Sequence, residues 1–412
     1  MTKSDVVKNN SNVDKTLKYL ALFSVCLYIV ISTIFDSIKT NLAVLSSLSI
    51  YFCLGCCVLY ILNRGTFKLG RYEIWMLVLV ALVAISILYT PTDERLVNMY
   101  FHRFYTSAIL VLVVSNTVCD EKDAMLIVDA YILAGLLLAL YIYSTYGFSN
   151  LAADSERIDS KLGNQNGTGM SCAYAICFSI YRLVTTNKKR ALFYIATVVA
   201  CTPVVMFTGS RKALLIMLCA IFVFAFCYSK NKLVFTRILW VVVIAAIIFA
   251  IIYYVPAFGV IKERVLSTIE VFQGSTDAET SKSDATRMKY VTKGLQFFLE
   301  SPIWGNGFQY SYHRFGTYSH CNYVELLMNG GIIFFCVYYY LYVVIISHAR
   351  KLLKNDKSRK YGAFQIMLMV AFLTMDIGVV SFYDRYTLIM LTLCMRSCAA
   401  DEPPALSEAE NV

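Results

Sequence analysis

Charge is what this chain has least of: Asp, Glu, Lys and Arg together make up 16% of its 412 residues, against 58% hydrophobic. That excludes a disordered polypeptide and a nucleic-acid binder, and it is too little charge for a soluble domain. The 14 cysteines include no Cys-x-x-Cys motif with a histidine partner. Most lie inside apolar runs (Cys53, Cys57, Cys177, Cys201, Cys394), where Cys packs as a small hydrophobe, so zinc and a secreted disulfide scaffold are set aside. No Ala-x-Ala site follows the first apolar run, and the polar leader Met1 to Thr16 is too long for a compact n-region, so that run is read as a retained span. An internal repeat is also lacking, which weakens a transporter built from inverted repeats.

Apolar windows are abundant. They fall at 17–35, 42–62, 73–90, 99–115, 124–147, 167–185, 191–208, 212–228, 235–255, 323–346, 361–381 and 386–399. Each approaches the roughly 20 residues a bilayer-spanning helix needs, so the chain is expected to be all-α with about twelve transmembrane helices. The net charge of +10 reflects basic residues held in cytoplasmic loops. With the N-terminus inside, inner loops and tails carry 21 Lys and Arg and the short outer loops 7, which puts both termini in the cytoplasm. The resulting division is nine spans over 1–255, a long extracytoplasmic loop over 256–319, three spans over 320–399 and a cytoplasmic tail over 400–412.

Within the long loop, Gly274 to Ser283 reads as a mobile polar stretch. Order is expected to return at Asp284 as an N-cap, because Met288, Val291, Leu295 and Phe298 recur at helical spacing up to Ser301-Pro302. This amphipathic helix would lie along the outer membrane surface, with Arg287 in its first turn, a poor place for a cation beside the positive end of the helix dipole. Gly305-Asn306-Gly307 then makes a turn, and no Lys-Ser/Thr follows it as a phosphate-binding loop would require. Ser319 is a good N-cap for the next helix.

Charges near spans are the informative ones in a membrane. Arg103, Asp129, Arg182 and Asp376 are such residues; Arg182 can snorkel, and structural ion pairs would account for the rest. Of four histidines, His348 falls in a basic cytoplasmic loop, leaving His102, His313 and His320 as outward bases. His320 lies where the long loop re-enters the membrane, a place where a group titrating near neutrality could take a proton, although a solvated or capping histidine would look the same. Arg211 occupies a very short outer turn, within reach of a lipid-linked pyrophosphate at the headgroup plane; interfacial anchoring is the competing explanation. Two acid pairs, Asp154-x-Glu156 and Asp277-x-Glu279, stand in polar stretches where such spacing arises by chance, and no metal site is expected.

Read in order, Gly163-Asn164-Gln165-Asn166-Gly167, Gly209-Ser210-Arg211-Lys212-Ala213-Leu214-Leu215, Ser283-Asp284-Ala285-Thr286-Arg287 through Ser301-Pro302-Ile303-Trp304-Gly305-Asn306-Gly307-Phe308, and His320-Cys321-Asn322-Tyr323-Val324-Glu325-Leu326-Leu327 through Gly330-Gly331 resemble the O-antigen ligase and Wzy-type polysaccharide polymerase superfamily. The resemblance runs from about 160 to 345. It implies a GT-C-like helical membrane enzyme of the cytoplasmic (inner) membrane that acts on undecaprenyl-pyrophosphate-linked glycans without metal or other cofactor. Arg211 and Arg287 would hold the donor pyrophosphate and His320 would activate the acceptor hydroxyl, with Asn166, Ser210 and Asn322 in support. Many relatives carry Asn directly after the histidine; here that position is Cys321, so Asn322 either orients His320 or the orienting Asn is missing. The expected partners are the lipid-linked oligosaccharide, membrane lipid and a chain-length regulator, and no nucleic acid. The forms of these motifs look polymerase-like, making capsule, exopolysaccharide or O-antigen. A ligase of the same superfamily, passing the glycan to lipid A core or another acceptor, is the nearest alternative, and a flippase of lipid-linked oligosaccharide the next.

Overall fold

The computed structural model describes residues 3–38, 43–147, 164–186, 188–228, 258–272 and 279–399, with scattered positions between 243 and 255. Helices follow one another through these residues. The first five are α1 (Lys3–Ser37), α2 (Ala43–Arg64), α3 (Arg71–Ile87), α4 (Glu94–Thr117) and α5 (Glu121–Tyr146). Next come α6 (Gln165–Thr185), α7 (Ala191–Phe207), α8 (Arg211–Tyr228), α9 (Gly259–Phe272) and α10 (Glu279–Glu300). The chain continues through α11 (Tyr310–Phe315), α12 (Asn322–Lys354), α13 (Arg359–Asp376) and α14 (Arg385–Ala399).

Short polar side chains start several of them by accepting from orphan backbone N–H groups. Asp93 caps α4 through Arg95 N at 3.0 Å, Asp120 caps α5 through Asp123 N at 2.9 Å, and Asn164 caps α6 through Gly167 N at 3.0 Å. The apolar bodies pack as a bundle: α1 lies on α2 and α5, α6 on α5, α7 and α8, α8 on α13, and α12 on α3 and α13. Aromatic rings fill the centre, as where Tyr181 stacks on Phe364 at 4.3 Å between centroids.

Among the described residues, six helices are long and apolar enough to cross a membrane: Val13–Ser37, Val44–Arg64, Glu94–Thr117, Glu121–Tyr146, Arg211–Tyr228 and Asn322–Lys354. The chain is a multi-pass membrane protein. The windows at 73–90, 167–185, 191–208, 361–381 and 386–399 fall on α3, α6, α7, α13 and α14, which are shorter or less apolar. Most of the window at 235–255 lies outside the described residues, as do Asp154, Glu156 and Asp277.

The segment between α8 and α12 departs from expectation in four ways. Among the described residues its loop part, 256–319, holds three helices and not one. Helix α10 begins at Glu279, so Asp284 is no N-cap and Arg287 lies two turns inside, where the dipole carries no penalty; Gly274 to Ala278 lie outside the described residues, and Glu279 to Ser283 are helical. The periodicity shows only which residues share a face, not which neighbour that face meets. Here Val291 and Phe297 pack on Tyr310, Cys321, Val324 and Met328, with Gly294 so close that a Cβ would meet Val324 Cγ1 at 2.3 Å. Met288, Leu295 and Leu299 stay exposed, a stripe free to face lipid. Last, α12 starts one residue after Cys321, and Ser319 does not cap it but bonds Cys321, donating to its O at 2.9 Å and accepting from its N at 3.3 Å.

Helix α12 is broken at Gly331 (φ 64°, ψ −161°), a conformation open to glycine. The break admits the turn after α10: Ile332 N donates to Pro302 O at 2.9 Å, and Asn306 N donates to Met328 O at 2.8 Å. Buried this way, the interrupted backbone keeps its hydrogen bonds. A Cβ at Gly331 would strike Ile303 O at 2.3 Å, so Gly331→Ala should displace the turn and the start of α12 with it.

Of the charges near spans, Asp129 and Arg182 form a two-pronged pair, both N···O distances 2.8 Å, and Tyr194 OH donates to the same carboxylate at 3.1 Å. Arg182 is therefore clamped and does not snorkel. Asp129→Ala, which strands a mostly buried guanidinium, should cost about 2 kcal/mol of stability, with Asp129→Leu/Arg182→Leu recovering most of it in thermal unfolding of the detergent-solubilised chain. Asp376 has no ion-pair partner among the described residues; it accepts from Tyr339 OH at 2.8 Å, Asn322 Nδ2 at 3.3 Å and Ser381 Oγ. Arg103 lies over the ring of Tyr383.

Candidate active site

The turn between α7 and α8 passes through Gly209 in the left-handed region (φ 60°), and buried Ser210 follows it. Ser210 Oγ accepts from Ala213 N at 3.4 Å, which starts α8. The first turns of α6 pack closely on this turn: a Cβ at Gly169 would meet Thr208 Oγ1 at 2.7 Å and Ser210 Cβ at 3.1 Å. Asn166 stands half-buried in that same first turn.

Arg211 reaches across to α10. Its guanidinium approaches Asp284 through both nitrogens, at 2.7 and 2.8 Å, and Nη1 also donates to Arg264 O of α9 at 2.7 Å. Arg287, one helical turn after Asp284, brings Nη1 to 3.6 Å from the same carboxylate. The two arginines expected to grip one anion thus share one already, the carboxylate of Asp284. All three side chains are mostly enclosed, 18%, 29% and 16% exposed for Arg211, Arg287 and Asp284.

Lys212 turns inward as well. Its Nζ donates to Gly378 O at the end of α13, and its chain lies where a Cβ of Gly378 would be.

His320 sits beside these cations in the left-handed backbone region (φ 62°), costly for a residue with a Cβ. Its ring lies 4.1 Å from that of Tyr318 and 6.4 Å from the nearly parallel ring of Tyr290 on α10, centroid to centroid. The loop that holds it is anchored from below by fully buried Glu325, which accepts from Ser319 N at 2.8 Å and Ser311 Oγ at 2.5 Å. Burial first, then the charges of Arg287 and Lys212, push the imidazole down to about 4. It is neutral at pH 7, with a lone pair free to accept a proton.

The supporting residues divide. Asn322 Oδ1 accepts from Ser381 N at 3.0 Å and Phe382 N at 3.2 Å, and Nδ2 faces Tyr339 and Asp376. Those bonds tie the start of α12 to the turn after α13; none of them reaches His320. Cys321 is buried, its thiol pushed up by that burial. The other histidines stand apart: His102 beside Tyr105, His313 beside Tyr310, and His348 bonded to Gln365 at 3.3 Å.

Sequence reasoning missed Asp284 as the arginines' common partner, Lys212 as a third cation, and Glu325 as the loop's anchor. The spacing Asp284-x-x-Arg287 was a usable signal, since residues three apart share a helix face. Chemically, two arginines on one carboxylate, with Lys212 in electrostatic range of it and a neutral imidazole beside them, can hold a polyanion and take a proton from a neighbouring hydroxyl.

Residues 195–339, about a third of the chain, match the family model described as O-antigen ligase. The match contains Arg211, Asp284, Arg287 and His320, and it bears out the superfamily resemblance read from the motifs. No curated protein matches the chain.

Proposed function

With residues 195–339 carrying a domain of the O-antigen ligase family, we propose that the protein is a polysaccharide polymerase. It joins undecaprenyl-pyrophosphate-linked oligosaccharide units at the outer face of the cytoplasmic membrane, within a GT-C-like bundle of about twelve spans whose termini are both cytoplasmic. The observation that carries this is the sharing of one carboxylate by Arg211 and Arg287 beside His320.

In this reading the donor pyrophosphate displaces Asp284 from the arginines. His320 takes the proton of an acceptor hydroxyl as that oxygen bonds to the donor's anomeric carbon. The bond from that carbon to the pyrophosphate breaks, its electron pair leaving with the pyrophosphate, whose growing charge the arginines and Lys212 stabilise. Because the leaving group departs well, these groups suffice. A chain-length regulator would act on the same product.

The test is reconstitution of the purified chain with one lipid-linked repeat unit as sole substrate. A ladder of polymer is expected, and it should persist in a chelator. Product formed only when a second acceptor such as lipid A core is added would make the protein a ligase; abolition by chelation would redirect the search to Asp154 and Glu156.

The charge balance at His320 gives a further expected result. An anion placed between Arg287 and Lys212 offsets the charges that lower the imidazole, so its pKa should rise from about 4 by roughly one unit or more. In a chain whose other three histidines are Gln, the pH midpoint of diethylpyrocarbonate modification should move upward when inorganic pyrophosphate is added. An unmoved midpoint would detach His320 from the pyrophosphate site.

A further inference from the structure

Beside this site lies a chamber of about 870 Å³. Its walls come mainly from α1, α2, α4, α6, the turn after α13 and the start of α14, at the ends that the charge asymmetry places outside, together with Tyr312 and Tyr318. Tyr318 also touches His320, so one wall of the chamber abuts the proposed base. The lining is rich in tyrosine, with Tyr51, Tyr100, Tyr312, Tyr383 and Tyr386 among it. Such rings offer flat apolar faces and hydroxyl edges, the two surfaces a sugar also presents, and the volume is that of a site for several rings.

One residue in this wall stands out by its charge. Arg103 lies nine residues after Glu94, roughly 14 Å along α4 at the helical rise, well inside a helix apolar enough to span. A cation there costs a few kcal/mol unless partnered or used. The other charges of the wall are engaged: Asp36 accepts from Tyr386 OH at 3.2 Å and Ser46 Oγ at 3.3 Å, and Asp384 accepts from Thr387 N and Oγ1 at 2.9 and 2.7 Å. Arg385 lies in electrostatic range of Tyr28 and Asp36. Among the described residues the Arg103 guanidinium makes no ion pair or hydrogen bond; it rests over Tyr383, 5.7 Å from the ring centroid, with Asp36 in electrostatic range only. Arg103 thus lines the chamber with a ring face beside it and its donors uncommitted among the described residues.

The geometry points to the chamber as the acceptor-glycan site, in which Arg103 selects a repeat unit carrying an anionic group, a sugar carboxylate or a sugar phosphate. This rests on the polymerase reading above for the identity of the occupant, while Arg103 adds to it what that occupant must carry. A planar fork with free donors suits either anion.

The test uses the full chain in lipid nanodiscs and reads binding, which needs no turnover. The probes are methyl β-D-glucuronide, glucose 6-phosphate, methyl β-D-glucoside and inorganic pyrophosphate. At least one of the two anionic sugars should bind about tenfold or more tighter than the neutral glucoside, and which one does assigns the carboxylate or the phosphate as the source. Arg103→Gln should remove that preference and Arg103→Lys keep part of it. Pyrophosphate binding should survive Arg103→Gln and be lost in Arg211→Gln. Equal binding of charged and neutral sugars by the unsubstituted protein would overturn the inference, with no variant needed. Loss of pyrophosphate binding in Arg103→Gln would also overturn it, by assigning Arg103 to the donor. If pyrophosphate binding ignores Arg211→Gln while the sugar preference still follows Arg103, the polymerase site fails and the anionic subsite stands.

Discussion

Replacing His320 by Ala should reduce polymer formation by about 100-fold or more while the protein still folds and inserts, since a positioned general base supplies roughly that factor or above. His313→Ala, outside the cation cluster, should be mild. The backbone adds a check that activity alone cannot give. His320 holds φ at 62°, where a Cβ costs roughly 1–2 kcal/mol and glycine costs little. His320→Gly should therefore be as inactive as His320→Ala yet more stable by about 1 kcal/mol, because the base is gone in both and only glycine relieves the strain. Thermal unfolding of the two variants in one detergent, beside a polymerisation assay, reads both effects. Full polymer from either variant would overturn the assignment; equal stability would show that the strain is absent.

Arg211→Lys is the second large expected effect. An arginine that merely anchors α8 to the headgroups tolerates Lys, which keeps the charge and also snorkels. One that grips pyrophosphate through its fork does not, because a point charge cannot reproduce two parallel hydrogen bonds. Arg211 already uses that fork on Asp284, at 2.7 and 2.8 Å, and the enclosure of the pair makes each lost bond count. Losing one charge-assisted bond of about 2 kcal/mol predicts a fall in kcat/KM of roughly 30-fold. Exposed Arg95, on the first turn of α4, serves as the control, and Arg95→Lys should be silent. A silent Arg211→Lys would leave Arg211 an anchor and remove the pyrophosphate site with it.

Two features set how much could be read before the fold. A property carried by a single segment survives in the sequence: apolar windows gave the helices of a multi-pass membrane protein, and four short motifs in order gave the superfamily, which the match over residues 195–339 bears out. The motif residues Arg211, Arg287 and His320 were named the same way, and the structure brings them to one place. Boundaries were less legible. Helix α10 starts at Glu279 and not at Asp284, because polar residues with adequate helix propensity extend it past any local stop signal. What only the tertiary structure decided is which residues meet. The approach of Asp284 on α10 to Arg211 on α8 spans 73 positions, the bracing of the His320 loop by Glu325 depends on burial, and Lys212 differs from its neighbour only by the face of α8 it occupies. Helical periodicity ranks faces by polarity but does not say which face looks into a cavity. That Arg182 is clamped by Asp129 instead of snorkelling, and that Lys212 turns inward to Gly378, therefore had to wait for the packing of the other helices around them.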